Sequence, residues 1–274
     1  MQNKRTAFFI SDRTGITVEM LGHSLLTQFD GVEFKQVTIP FVDTVEKAAE
    51  VANQINQVAL AEGSCPLVFS TLVNPEISAM VAAANALFMD FFQVFTDPLE
   101  SELGVKSSHV IGRSHSFSNS YGYQARIEAV NYALRHDDGV STRDLNQADV
   151  ILIGVSRCGK TPTCLYLALL FGVRAANYPL LPEDFSSMTL PPQLKPLRNK
   201  LYGLSINPDR LQHIRNERKP GSRYATLANC QFEVREAEAL MHQEGINYID
   251  TTTKSIEEIA TTILHKANLE RHIY

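Results

Sequence analysis

Short apolar runs alternate with amphipathic stretches along the first half of the chain. The run at residues 7–10 is continuously apolar, and the segments 34–42 and 66–72 are rich in apolar and β-branched residues, which predicts strands. Between the runs, apolar residues recur at helical spacing, which predicts helices. One of these helices begins at Asn74-Pro75-Glu76, where a capping residue, a proline and an acid stand in the favoured order.

The helix after Asn74 is expected to continue through Phe88, and a polar, irregular connection is expected over residues 97–120. Aromatic residues recur at the end of this helix, at Phe88, Phe91, Phe92 and Phe95. A core position or a subunit interface explains such a stripe better than a binding site. A homodimer is therefore compatible with the sequence.

The second half repeats the alternation of strands and helices. Strands are expected at residues 150–153, 174–180, 201–206 and 246–249, and helices at 161–171, 208–218, 233–243 and from a capping box at Ser255–Glu258. Strands alternating with helices predict an α/β protein with a mainly parallel sheet. We expect an α/β domain over residues 1–145 and a second α/β domain over residues 146–274.

The composition narrows the class of protein. Of 274 residues, 44% are hydrophobic and 20% are charged, so the chain has enough apolar residues for a core. The net charge of −5 disfavours a broad nucleic-acid-binding surface. No apolar run is long enough to span a membrane or to form a signal peptide. The four cysteines lack paired spacing, which favours free thiols in the cytoplasm.

One motif carries most of the chemical information. The segment Gly154–Thr161 reads GVSRCGKT and fits the phosphate-binding P-loop pattern, between a predicted strand and a predicted helix. Its glycines permit a curled backbone whose N–H groups cradle phosphate, Lys160 would reach the terminal phosphates, and Thr161 would ligate Mg²⁺. The nucleotide-binding candidates are Gly154, Val155, Ser156, Arg157, Cys158, Gly159, Lys160 and Thr161. The alternative is a glycine turn with a solvated lysine.

The motifs present and absent elsewhere in the chain indicate which class of reaction this loop serves. A GTPase needs an Asn-Lys-x-Asp motif downstream, and Asn199–Tyr202 lacks the aspartate. The only Asp-x-x-Gly, at Asp12–Gly15, precedes the loop, which is the wrong order for a GTPase switch. A kinase-like domain that transfers a phosphoryl group is therefore favoured over residues 146–274.

Basic residues cluster after the loop. Residues 195–223 carry a net charge of +6. Within them, Arg215, Arg218 and Arg223 are candidates for binding phosphate, because arginine binds phosphate in a bidentate way. For any one of these residues, a solvated basic surface is an equal alternative.

Several acids are candidates for catalysis. Asp137 and Asp138 follow a predicted helix, and either could be a general base or a metal ligand, although a solvated turn explains them too. Asp12 follows the first strand, where ligands bind in open α/β sheets, and it could equally cap a helix. Asp250 ends a strand and is a weaker Mg²⁺ candidate. The histidines show no zinc-binding spacing, so no zinc site is predicted.

Five segments together resemble a known family. They are Phe8–Glu19 (FFISDRTGITVE), Thr38–Val42 (TIPFV), Arg135–Gly139 (RHDDG), Gly154–Thr163 (GVSRCGKTPT) and Arg174–Pro179 (RAANYP). This set resembles the regulatory proteins of pyruvate, water dikinase (phosphoenolpyruvate synthase) and pyruvate, phosphate dikinase. The complete Cys158-Gly159-Lys160 sequence is similar to the synthase branch.

The resemblance implies a bifunctional enzyme. One activity would use ADP to phosphorylate a threonine of phosphoenolpyruvate synthase and inactivate it. The other would use inorganic phosphate to remove that phosphoryl group and release pyrophosphate. The resemblance assigns ADP to Gly154–Thr161 and no residue as the base. The alternatives are an ATP-dependent kinase of a small molecule and a nucleotide-sensing protein without enzymatic activity.

Overall fold

The chain divides into two compact units, Met1–Ser116 and Phe117–Tyr274, in a computed structural model that describes residues 3–108, 110, 120–139 and 143–270. The division expected from the sequence falls later, at residue 145. The structure instead places the helix Ser120–Arg135 in the second unit, because it packs against the helix Lys160–Phe171.

The first unit is a four-stranded parallel sheet with helices on both faces. Its strands are β1 (Asn3–Ile10), β2 (Val32–Ile39), β3 (Leu67–Ser70) and β4 (Leu87–Asp90), in the order β2-β1-β3-β4. Its helices are α1 (Ile16–Leu26), α2 (Val45–Glu62), α3 (Pro75–Ala82) and α4 (Phe91–Leu103). The α/β class and the parallel sheet expected from the sequence are confirmed.

Strand β1 explains why this sheet is covered on both sides. Phe8 and Ile10 belong to the core under α2 and α3, whereas Ala7 and Phe9 belong to a second core under α1. Successive strand residues point to opposite faces, so a strand buried on both faces is apolar throughout. This is the pattern of the run at residues 7–10.

The region around the phenylalanine stripe differs from the prediction. The expected helix through Phe88 ends at Ala82, and Leu87–Asp90 forms β4, because the Asp90 carboxylate starts a new helix by accepting the N–H groups of Phe92 and Gln93, each over 2.9 Å. Helix α4 then extends to Leu103, into the stretch expected to be irregular. Residues 111–119 of that stretch lie outside the described residues.

The four aromatic residues of the stripe have unequal environments. Phe88 and Phe91 pack against the two cores of the first unit. Phe92 and Phe95 are exposed, at 46% and 63%. The core interpretation therefore holds for the first pair only.

The second unit has the same strand order as the first. Its strands are β5 (Val150–Gly154), β6 (Ala175–Pro179), β7 (Leu201–Ser205) and β8 (Tyr248–Asp250), parallel in the order β6-β5-β7-β8. Its helices are α5 (Ser120–Arg135), α6 (Lys160–Phe171), α7 (Pro182–Ser187), α8 (Pro208–Arg218), α9 (Leu227–Gln243) and α10 (Ile256–Lys266). In each unit the first strand pairs with the second and the third.

The central strand β5 positions the glycine-rich loop. All five of its residues are buried, between β6 on one side and β7 on the other. The loop leaves the carboxyl end of β5 and enters α6, which is where ligands bind in sheets of this type.

The predicted capping box is confirmed at α10, where Ser255 and Glu258 bond reciprocally. Among the described helices, none has the length and apolarity needed to traverse a lipid bilayer.

Candidate functional site

The loop between β5 and α6 has backbone conformations that residues with a side chain rarely adopt. Gly154 has a φ of 147°, and a Cβ there would lie 2.2 Å from the carbonyl oxygen of Leu204 on β7. Arg157 and Gly159 also have positive φ, at 75° and 96°. Left-handed residues of this kind curl a loop so that its N–H groups converge, which makes a concave surface for an anion.

Lys160 lies inside this curl. It is only 3% exposed, and its ammonium group donates hydrogen bonds to the carbonyl oxygens of Gly154 (3.0 Å) and Val155 (2.8 Å). Carbonyl oxygens solvate an ammonium group, and a phosphate is a stronger partner because it carries charge. The lysine thus lies within the loop at the position from which it can meet a phosphate.

A cluster of polar side chains surrounds the next residue. The Thr161 hydroxyl donates to the Asp137 carboxylate over 2.7 Å. The Asn177 amide, on β6, donates to the same Asp137 oxygen (2.6 Å), to Thr161 Oγ1 (3.0 Å) and to Asp138 (3.3 Å). Three segments that are distant in the sequence thus meet at the start of α6.

The segment that carries the two acids is fixed by backbone hydrogen bonds to β6. The N–H of Asn177 donates to the His136 carbonyl oxygen (2.9 Å), and the N–H of Gly139 donates to the Asn177 carbonyl oxygen (3.1 Å). Asp138 has a φ of 48°, an uncommon value for a residue with a side chain. Sites that bind ligands often hold residues in such conformations.

These residues line one pocket of about 220 Å³. Its walls are Asp138, Ser156, Arg157, Gly159, Lys160, Thr161, Pro162, Asn177 and Ile214. The pocket combines one lysine and one arginine with a carboxylate, two hydroxyls and an amide. Such a composition suits a phosphate ester accompanied by a divalent cation.

The oxygen atoms near Thr161 fit Mg²⁺. The Thr161 hydroxyl and the Asp137 carboxylate are hard oxygen donors, and the Asn177 amide nitrogen, which donates to both, holds them together. Mg²⁺ is usually held by one or two carboxylates together with phosphates of the substrate. Correspondingly, the described residues contain no group of three or more His, Cys, Asp or Glu side chains that could hold a metal by themselves.

Arg215, a candidate phosphate ligand from the sequence, lies behind the loop instead of in the pocket. Its side chain is fully buried and donates to the carbonyl oxygen of Ser156 (3.0 Å), to that of Tyr224 (3.2 Å) and to the Glu233 carboxylate (2.7 Å). The guanidinium also stacks over the Tyr224 ring at 4.1 Å. With these contacts, Arg215 supports the loop from its rear.

The other basic candidates are on the surface. Arg218, at the end of α8, is exposed and lies in the wall of a second pocket next to the loop. Arg223 is exposed in a short 3₁₀ turn and lies in the wall of neither pocket. Of these two arginines, only Arg218 lies next to the loop.

Two further acids considered from the sequence make local contacts of their own. Asp250 ends β8, which β7 separates from β5, and its carboxylate accepts the N–H of Thr252 (2.8 Å). Asp12, in the first unit, accepts the N–H of Val73 over 3.1 Å and ties the end of β1 to the end of β3. The acid beside Thr161 is Asp137.

The cysteines of the second unit are unsuited to nucleophilic chemistry. Burial raises the pKa of the Cys158, Cys164 and Cys230 thiols above their usual range. A raised pKa keeps a thiol protonated at neutral pH, and the thiolate is the reactive form. Cys158 thus fills space behind the loop.

Two residues of this site were not identified from the sequence. Asn177 is a buried amide in an otherwise apolar part of β6, and a polar residue in a strand next to the loop is the signal that could have found it. Tyr224 donates its hydroxyl hydrogen to Ser156 Oγ (2.9 Å). It lies in the short 3₁₀ turn after α8, and no sequence pattern distinguishes it.

Comparisons with known proteins agree on one family. The sequence model of the kinase/pyrophosphorylase family matches residues 7–264. Relatives from Bordetella parapertussis and Aromatoleum aromaticum are 56% identical over 268 and 271 residues, and the match covers 98% of each chain. A relative from Laribacter hongkongensis is 56% identical over 272 residues, covering 99% of each chain. All three bear the name "Putative phosphoenolpyruvate synthase regulatory protein".

Proposed function

The chain belongs to the kinase/pyrophosphorylase family, and from this premise we propose that it is a bifunctional regulator of phosphoenolpyruvate synthase. In one direction it transfers the β-phosphoryl group of ADP to a threonine of the synthase, which inactivates that enzyme. In the other it transfers the phosphoryl group from the threonine to inorganic phosphate. The observation that carries the proposal is the contact of Asp137 with Thr161 and Asn177, two residues that line a pocket together with Lys160 of the glycine-rich loop.

The proposed ADP site is the loop Gly154–Thr161. Its backbone would surround the diphosphate, and the Lys160 ammonium would exchange its carbonyl partners for the β-phosphate. The positive end of α6 adds to the attraction. Phosphoryl transfer depends mainly on positioning and on neutralising charge, so these groups supply what the reaction requires.

The two aspartates have different proposed roles. Thr161 and Asp137 would hold Mg²⁺, which neutralises charge on the phosphates when it is bound, and the Asn177 amide would position both ligands. Asp138 lines the pocket and is our candidate for the general base that takes the proton of the attacking threonine hydroxyl. The threonine oxygen then bonds to the β-phosphorus, the bond from that phosphorus to the bridging oxygen breaks, and AMP leaves.

In the second activity, the phosphoryl group of the phosphothreonine would occupy the same proposed pocket as the β-phosphate of ADP. An oxygen of inorganic phosphate attacks the phosphorus of the phosphothreonine, and the bond to the threonine oxygen breaks. The threonine oxygen takes up a proton, which Asp138 would return, and pyrophosphate leaves. The named relatives support the synthase as the protein substrate, and a cytoplasmic location is part of the proposal.

Transfer of label tests the proposal. The protein is incubated with purified phosphoenolpyruvate synthase and either ADP labelled in its β-phosphate or ATP labelled in its γ-phosphate. Label on a synthase threonine with ADP, and its release as pyrophosphate after addition of phosphate, would support the proposal. A labelled small molecule with ATP would indicate a metabolite kinase instead, and binding of ADP without turnover would indicate a nucleotide sensor.

A lysine variant ties the activity to the loop. Lys160→Met removes the charge and keeps much of the side-chain volume, so we expect transfer to fall by a factor of about 10² or more. Lys266→Met, at the exposed end of α10, is the matched control and should retain activity. Wild-type activity in Lys160→Met would contradict the assigned site.

A further inference from the structure

A second pocket adjoins the proposed nucleotide site. Its volume is about 260 Å³, and its walls are Ser156, Arg157, Arg218, Lys219 and Tyr224. It shares Ser156 and Arg157 with the first pocket and none of the residues from Gly159 onwards. The two cavities therefore meet at the first turn of the glycine-rich loop.

The second pocket is lined by positive charge without compensation. Three of its five residues are cations, and none is an acid. Among the described residues, none of these three cations forms an ion pair. Two acids from neighbouring parts of the chain contact other residues, because Glu217 lies 3.3 Å from His213 and Glu233 pairs with Arg215 (2.7 Å). An uncompensated cationic pocket attracts an anion.

The dipole of α8 explains the presence of only two of the three cations in this pocket. Arg218 and Lys219 end that helix, where cations interact favourably with the helix dipole. The dipole gives no account of Arg157, which is on the loop. Arg157 has a left-handed backbone, and the curl that this conformation gives the loop brings a third cation to the same cavity.

The wall between the two pockets is held in place from behind. The Ser156 carbonyl oxygen accepts from the buried Arg215 guanidinium, and the Ser156 hydroxyl accepts from Tyr224 (2.9 Å). Tyr224 in turn lies under the same guanidinium. The pocket is thus formed before any ligand arrives, which reduces the entropy cost of binding.

We infer that this second pocket binds a phosphate dianion at a site separate from the nucleotide pocket. Arginine forks and a lysine ammonium are the side chains that recognise phosphate, and the Ser156 hydroxyl adds a further polar group. The inference deepens the proposed function and rests on it for the role of the ligand. In that role, the site holds the inorganic phosphate whose oxygen attacks the phosphothreonine.

Phosphate binding to the full-length protein tests this site. Inorganic phosphate is titrated calorimetrically with ADP held at saturation, using wild type and the Arg218→Gln/Lys219→Gln double variant. We expect wild type to bind phosphate together with ADP, and the double variant to bind it at least about tenfold more weakly. Its ADP affinity should stay within about a factor of two. Arg210→Gln, an exposed arginine on the same helix outside both pockets, is the control and should match wild type.

Two results would overturn the inference. One is displacement of ADP by phosphate mole for mole, which would indicate a single shared site. The other is unchanged phosphate affinity in the double variant. A second titration with phosphothreonine identifies the source of the dianion. Binding of phosphothreonine with exclusion of inorganic phosphate would assign the pocket to the phosphorylated substrate and overturn its role in holding the attacking phosphate.

The same measurements separate this site from the proposed function. Phosphate binding alongside ADP without any turnover on the synthase would retain the pocket and reject the activity. Turnover with unchanged phosphate KM in the double variant would retain the activity and reject the pocket. Circular dichroism melting of each variant verifies the fold.

Discussion

The Thr161 hydroxyl donates a hydrogen bond of 2.7 Å to the carboxylate of Asp137, which lies 24 residues earlier in the chain. The contact places an acid beside the residue that would ligate Mg²⁺, a place for which the sequence also offered Asp250, at the end of β8, as a weaker candidate. Asn177 completes the arrangement by donating to both partners. The first prediction follows from this relationship.

Asp137 and Asp138 should differ in how their loss affects activity. Asp137→Asn removes the charge beside Thr161, so the Mg²⁺ concentration for half-maximal rate should rise about tenfold or more. Asp138→Asn removes the candidate base, so turnover should fall by a factor of about 10² to 10⁴ with unchanged Mg²⁺ dependence. Initial rates over a Mg²⁺ titration measure both.

The control for these variants is Asp209→Asn, an exposed acid in the first turn of α8. It should behave as wild type in the Mg²⁺ titration. The assignment fails if Asp137→Asn needs no more Mg²⁺ than wild type, or if Asp138→Asn retains full turnover.

Gly154 and Gly159 should respond unequally to alanine. A Cβ at Gly154 would lie 2.2 Å from the backbone oxygen of Leu204, whereas a Cβ at Gly159 meets nothing within 4 Å. We expect Gly154→Ala to lower the free energy of unfolding by about 3 kcal/mol or more, because β5 and β7 must separate. Gly159→Ala should lose only about 1–2 kcal/mol, from its left-handed backbone. Urea unfolding followed by circular dichroism distinguishes them, and equal losses would contradict the packing argument.

The sequence predicted most of the fold because local patterns determine it. Continuous apolar runs identified the buried parallel strands, and α8 begins and ends where expected, at Pro208 and Arg218. The errors have local causes. Asp90 ends β4 and caps α4, so the helical spacing through Phe88 does not correspond to one continuous helix. Helix α4 is not predicted, because little of its surface is buried. The common strand order of the two units left no visible repeat in the sequence.

Only part of the candidate site could be predicted, because the sequence does not show which distant residues come into contact. The glycine and lysine spacing identified the loop, because that chemistry is local. Nothing in the sequence specified that Asp137 would meet Thr161, which depends on pairing of residues 136–139 with β6. Arg215 shows a second limit of prediction from sequence. Helical spacing places Arg215 and Arg218 on one face of α8, yet Arg215 is fully buried and Arg218 is exposed.

Arg215 should matter for stability more than for phosphate contact. Its ion pair with Glu233 is buried, with side-chain exposures of 0% and 12%. Removing one partner leaves a buried charge unpaired, so Arg215→Met and Glu233→Gln should each lower the free energy of unfolding by about 3–5 kcal/mol. The double variant should lose less than the sum, because neither charge is then stranded. Urea unfolding of the four proteins measures the coupling.

A direct phosphate ligand would behave differently. If Arg215 contacted phosphate, Arg215→Met would raise the KM for ADP and leave unfolding unchanged. Arg215→Lys keeps the charge and loses the planar fork that serves Ser156 and Glu233 at once, so it should restore little of the stability. Full stability in the methionine variant would contradict the supporting role.

Asp12 gives a prediction with a defined dependence on pH. Burial raises the pKa of this carboxyl above its usual value of 3.8, although the Val73 N–H and Arg13 act in the opposite direction. The folded state therefore holds the proton to a higher pH than the unfolded state, and its stability falls as the pH rises through that interval. Asp12→Asn keeps an acceptor for Val73 and removes the charge. We expect it to be more stable than wild type at pH 7, with the advantage shrinking as the pH falls towards 3.8.

Asp43 provides a control of opposite sign in the same unit. Its hydrogen bond to Lys47 lowers its pKa, so its contribution is present at neutral pH and lost as the pH falls through its folded-state pKa. Asp43→Asn should therefore be slightly less stable than wild type at pH 7 and equal to it in acid. Thermal melts of both variants from pH 7 down to well below 3.8, the usual pKa of the carboxyl, measure the two trends. A charge buried at the carboxyl end of β1 costs stability. Greater stability of Asp12→Asn than of wild type at neutral pH, together with lost activity, would therefore assign Asp12 to function. A gain with full activity would assign it to the tie between β1 and β3, and a loss of stability would contradict the raised pKa.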